Sequence, residues 1–134
     1  MLILGGLCVA LAVSGCSVGG STTASNSGFT GVKAAVATTL NTFANDASSN
    51  NGKDMCASVF DQALLAKISK AGNCQTIITN QLKTIDDFTL KIESIAINGT
   101  TAAARVQTVR NRVKVLSTVT LHHDPAGWRL DSAL

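Results

Sequence analysis

The chain has 134 residues, of which 46% are hydrophobic and only 14% charged, and its formal net charge is +3. That length suits one domain with a modest core. The basic residues are scattered, which argues against a nucleic-acid face. Four phenylalanines, one tryptophan and no tyrosine are too few for an aromatic carbohydrate or base-stacking platform.

Residues 1–15 form an apolar run without a charged side chain; the first charge in the chain is Lys33. Such a run fits the core of an export signal. It is too short and glycine-rich to span a bilayer, which takes about 20 apolar residues. Signal peptides open with Lys or Arg, so the true start is expected upstream of Met1. The run ends in Val13-Ser14-Gly15-Cys16, which resembles a bacterial lipobox. There the signal is cut before a cysteine that carries a diacylglycerol thioether. The resemblance implies lipidation of Cys16 with at least two acyl chains, and two chains hold where one is marginal. Ser17 in place of Asp implies no inner-membrane retention cue. The expected location is the outer face of the plasma membrane, or the outer membrane where the cell has one. Residues 16–29, the cysteine and a stretch of small polar residues and glycine, read as a flexible linker reaching roughly 20 Å.

Cys8 leaves with the signal and Cys16 takes lipid. Cys56 and Cys74 remain as an even pair in an oxidising compartment, and a disulfide between them is expected. It would close a loop of about 19 residues and contribute roughly 3 kcal/mol. Zinc wants four ligands, and only His122 and His123 stand together. Adjacent residues on a strand face opposite ways. No metal and no cofactor is expected.

Residues 30–134 read as one α+β domain. Val32, Val36, Leu40, Phe43 and Ala47 recur at helical spacing, predicting a helix over 30–48 with Thr30 at its N-cap. Residues 48–52 break it. A second helical segment, in one or two pieces, covers 53–72, with Gly72 at its end. Asn73 caps a third, with Cys74, Ile77, Ile78, Leu82 and Ile85 on one face. After Asp86-Asp87 the period becomes two. Phe88, Leu90 and Ile92 alternate, then Ile95 and Ile97 take the opposite phase, which predicts a β-bulge near Ser94. Asn98-Gly99 signals a hairpin. Residues 101–112 form the return strand, Val113 to Leu121 a third, residues 124–127 a turn, and residues 128–131 a last short strand. Helices grouped ahead of strands predict three helices packed on one face of a four-stranded antiparallel sheet.

This order, the hairpin from Ile95 to Ala104 and the closing stretch from Leu121 through Gly127-Trp128 to Leu130 resemble the nuclear-transport-factor-two-like (SnoaL-like) superfamily. Many of its small secreted members are actinobacterial lipoproteins. The resemblance implies a curved sheet wrapped round a long first helix, leaving a conical pocket. It also implies dimers through the exposed sheet face. It does not imply an activity, because the superfamily holds isomerases, dehydratases, hydrolases and non-catalytic binding domains.

Catalytic relatives use Asp, His or Tyr inside the cone, so Asp86, Asp87, His122 and His123 are the candidate acid/base or pocket residues. The first two sit at a helix-to-strand junction and the second two at a strand end, where solvated residues are commoner. No Ser-His-Asp order or phosphate loop stands out, and catalysis is not the expectation. Arg110, Arg112 and Lys114 could share one strand face as a contact patch for an acidic partner or lipid headgroup. The favoured reading is a membrane-anchored envelope module that binds a small apolar ligand or an envelope protein. The alternatives are an isomerase, dehydratase or hydrolase of the same fold, and a structural accessory that dimerises through the sheet face.

Overall fold

The computed structural model describes residues 28–132. The signal run, Cys16 and nearly all of the linker lie outside the described residues. Phe29, assigned to the linker from sequence, packs against the core.

Helix α1, Gly31–Ser49, buries Val36, Leu40, Phe43 and Ala47 together with Ala37 and Ala44. The predicted stripe is thus the buried face, except that Val32 is 52% exposed in the first turn. Thr30 takes the cap position without a side-chain bond, and Asn50 ends the helix in the left-handed region with φ 56°. Asn51 caps the short helix α2, Gly52–Asp54, by accepting from the Asp54 amide. α2 runs into a single π turn, Met55–Val59. Phe60 is extended, and the Asp61 carboxylate then accepts the Leu64 amide to cap α3, Gln62–Ser69. Asn73 caps α4, Cys74–Leu82, in the same way through Thr76. Three predicted helical segments therefore become four α-helices and one π turn. The division falls where Asn51, Asp61 and Asn73 offer side-chain oxygens to orphan amides. Cys56 and Cys74 form a disulfide that joins the π turn to the start of α4.

Four strands follow: β1 Thr89–Asn98, β2 Thr101–Arg110, β3 Val113–Asp124 and β4 Gly127–Leu130. They form an antiparallel sheet in the order β1-β2-β3-β4. The register between β1 and β2 shifts between Ile92 and Ser94. That extra residue returns Ile95 to the face that Leu90 and Ile92 occupy. The same face carries Ala102, Ala104 and Val106 of β2, Val119 and Leu121 of β3, and Trp128 and Leu130 of β4, all buried. At Asn98-Gly99 the hairpin turns one residue later than the dipeptide suggests. Asn98 pairs with Thr101, so Gly99 and Thr100 are the loop, with Gly99 at φ 60°, the arrangement of a II′ turn.

The helices cover one face of this sheet, with α1 against β1 and β4. The Thr39 hydroxyl donates to the Trp128 carbonyl at 2.9 Å. Phe60 bridges to Leu130 in parallel sense, and the Asp61 amide donates to the Leu130 carbonyl at 2.8 Å. The fold is thus α+β, with one apolar layer between helices and sheet. Leu40, Leu121, Val59 and Val106 are fully enclosed there, each contributing about 1.5–3 kcal/mol by burial. No helix among the described residues is long and apolar enough to cross a membrane.

Candidate functional site

The apolar layer does not close at one end. Between α1, α4 and the end of the sheet lies a cavity of about 310 Å³, at the small end of the range for ligand sites. Phe43 and Ala47 of α1, Met55 and Phe60 line its floor. Ile78 and Leu82 of α4 and Phe88 line its walls, with Phe43 and Phe88 edge to face, 5.8 Å between ring centres. Its polar lining is Gln81, Thr84 and Arg110. Gln81 and Thr84 are exposed and Arg110 half-buried, so polarity gathers at the mouth. The Arg110 guanidinium has no hydrogen-bond or ion-pair partner among the described residues.

Arg110 arrives there because β2 ends at it. The next two residues, Asn111 and Arg112, form a two-residue turn with φ of 51° and 67°, the left-handed pair that a I′ hairpin requires. Asn111 pins this turn to the loop after α4. Its amide donates to the Asp86 carbonyl, its Oδ1 accepts from the Asp86 amide, and its Nδ2 donates to the Thr84 carbonyl. The clamp brings the end of β2 to the mouth of the cavity.

This corrects the proposed patch. Arg110, Arg112 and Lys114 do not share a strand face, because the turn intervenes. Arg110 lies on the core face opposite Val113 and reaches the cavity. Arg112 sits in the turn, beside Asp86 and Asp87 in a shallow surface depression. Lys114 belongs to β3 and is exposed. A return strand drawn through residue 112 concealed the turn, since Arg is an unusual occupant of a left-handed position.

The four acid/base candidates lie elsewhere. Asp86 and Asp87 are exposed, and Asp87 adopts φ 52° in the loop before β1. His122 and His123 are also exposed, on opposite faces of β3. His123 rests its ring edgewise on Trp128 at 5.1 Å, bordering an open groove with Gly31 and Arg129. None of the four lines the apolar cavity. Among the described residues no three His, Cys, Asp or Glu side chains gather as a metal site would require.

One titratable group went unnoticed in the sequence. Asp46 lies on the buried face of α1, 6% exposed, and its Oδ2 has no partner among the described residues. Burial, then the hydrogen bond to Asp54, then the like charge of Asp54, push its carboxyl from the ordinary 3.8 up to about 7. The signal was present but faint, because position 46 lies between Phe43 and Ala47 on the buried stripe.

No family model matches this chain, and no curated protein matches it. Among solved structures, a protein of Campylobacter jejuni provisionally named an NTF2-like transpeptidase is similar at 18% sequence identity. The match covers 70% of this chain and 94% of that one, with a TM-score of 0.47. At that identity and score neither substrate nor reaction carries across, and the architecture stands on the helices and strands described above.

Proposed function

We propose that this chain is a binding module of the cell envelope, held outside the cytoplasm by lipid on Cys16. Its ligand is a small apolar molecule bearing one anionic group. The apolar part sits among Phe43, Met55, Ile78 and Phe88, and the anion meets Arg110. The observation that carries this reading is the apolar cavity with a single unpartnered guanidinium at its mouth. A cation beside a low-dielectric wall attracts an anion far more strongly than one in open water. Export is supported by the signal-like run before Cys16 and by the Cys56–Cys74 disulfide, a bond typical of oxidising compartments. Binding is favoured over turnover because Asp86, Asp87, His122 and His123 are all exposed and none borders the cavity.

Two dyes of one skeleton test the ligand class: anilinonaphthalene sulfonate, which is anionic, and N-phenylnaphthylamine, which is neutral. The sulfonate should bind at a one-to-one ratio. Arg110→Gln should weaken it about tenfold, the loss of roughly 1.4 kcal/mol, while leaving the neutral dye unchanged. Ile78→Trp should fill the cavity and abolish both. Equal effects of Arg110→Gln on both dyes, or sulfonate binding that survives Ile78→Trp, would refute the assignment. Labelled palmitate incorporated by the full chain and lost in Cys16→Ser tests the anchor separately.

A further inference from the structure

A second surface stands independently of the cavity. β3 is 12 residues long, but β4 is four and covers only Leu121 to Asp124. Asp131 and Ser132 extend that cover to Thr120, and from Thr118 back to Lys114 the outer edge of β3 is open among the described residues. Its direction can be read at Thr120, whose amide donates to Ser132 Oγ at 3.3 Å and whose carbonyl accepts from the Asp131 amide at 3.1 Å. Backbone groups in a strand alternate sides with period two. The N–H and C=O of Thr118, Leu116 and Lys114 therefore point the same way, and none has a partner on that side among the described residues. The side chains beside them are unusually apolar for an edge: Val113 is 60%, Val115 41% and Leu116 56% exposed. An open edge flanked by exposed apolar side chains is a template for another strand.

We infer that this edge pairs antiparallel with the same edge of a second copy, about a two-fold axis at Leu116. The register follows from the alternation. Only even-numbered residues present free groups, so even must face even. Centred on Leu116, Lys114 faces Thr118 of the other copy and Leu116 faces Leu116. Three residue pairs then exchange about six hydrogen bonds. Centred on Val115, only Lys114 and Leu116 pair within the apolar stretch. Centred on Ser117, Lys114 falls opposite Thr120, whose groups are already occupied. The charges agree with the first register. A lone edge lysine normally repels its own copy, but here Lys114 meets a threonine. The two lysines fall four positions apart, about 13 Å along the strands, beyond the screening length of about 10 Å. Leu116 meets Leu116 on the outer face, and the two Val115 side chains lie diagonally across the inner one. The product is one sheet running through both copies by its edges, unlike the face-to-face dimer that the superfamily resemblance implies.

Single-cysteine scanning tests this in the full chain, expressed in a bacterial host and oxidised in the lysate. Leu116→Cys should give a disulfide-linked dimer, because directly opposed residues lie about 5.5 Å apart. Val115→Cys and Ser117→Cys should give roughly fivefold less, since same-residue pairs there are diagonal and beyond disulfide reach. Co-expressed Lys114→Cys and Thr118→Cys chains should cross-link to each other and not to themselves, which decides the register should Leu116→Cys accumulate poorly. Protection of Cys56 and Cys74 from alkylation reports that each variant is folded. A folded Leu116→Cys chain that stays monomeric overturns the inference. So does equal yield at all positions, or a linked band containing a different protein.

Discussion

Gly52 backs directly onto Thr79, so closely that a Cβ at position 52 would lie 2.7 Å from the Thr79 hydroxyl and 3.0 Å from its amide nitrogen. α2 can approach α4 only because residue 52 has no side chain. Gly52→Ala should destabilise the protein by about 1–3 kcal/mol, the usual cost of overpacking. Urea unfolding checks it. Thr79→Ala should recover part of the loss in the double mutant, because it removes the nearest of the three crowding atoms, leaving the Thr79 amide nitrogen and the Gln75 carbonyl.

The disulfide joins the π turn that follows α2 to the start of α4 across a sequence separation of 18, with all of α3 inside the loop. Cys56→Ser/Cys74→Ser should lower unfolding stability by about 3 kcal/mol. The sulfonate dye should also bind more weakly, because Met55 and Ile78 belong to the segments the bond ties together.

Asp46 makes stability fall as pH rises. Its carboxyl lies at about 7 in the folded chain against an ordinary 3.8. The folded state therefore holds the proton more tightly than the unfolded state does. Its contribution is fully present below about pH 4 and is lost as pH climbs through 7. Asp46→Asn should flatten that slope and raise stability at pH 8 by about 1–3 kcal/mol, the scale of relieving an unsatisfied buried group. Denaturant midpoints at pH 4.5, 6 and 8 test the sign.

Much of the fold was legible because periodicity reports burial. Leu40 and Phe43, Leu90 and Ile92, and the phase change at Ser94 all follow from packing one face against another. The caps at Asn51, Asp61 and Asn73 are local chemistry, although only the last was assigned from sequence. The site was less legible. Arg110 reads as one cation among several until the turn at Asn111-Arg112 separates it from its neighbours, and that turn is held by tertiary bonds to Thr84 and Asp86. Asp86 and His122 suggest chemistry by residue type, yet strand ends and junctions place them in water. The open edge of β3 depends on where β4 stops, and no local pattern near residue 116 records that.

Arg112 holds φ 67°, a conformation that costs an ordinary L-residue about 1–2 kcal/mol. Arg112→Gly should therefore stabilise the chain, by about 0.5–1 kcal/mol once the freer unfolded glycine is counted. Thermal unfolding should move upward. Affinity for the sulfonate dye should not change, because the cation that faces the cavity is Arg110.

The bond from Thr39 to Trp128 spans 89 positions. The earliest helix finds its seat only when the final strand is present, so a nascent polypeptide cannot complete its core from the front. Phe43 can meet Phe88 of the middle of the chain earlier, but the seat of Thr39 on Trp128 waits for the tail, and loop closure over such distances is slow. A molecule wired this way fastens its first helix to its last strand only as the final event of assembly.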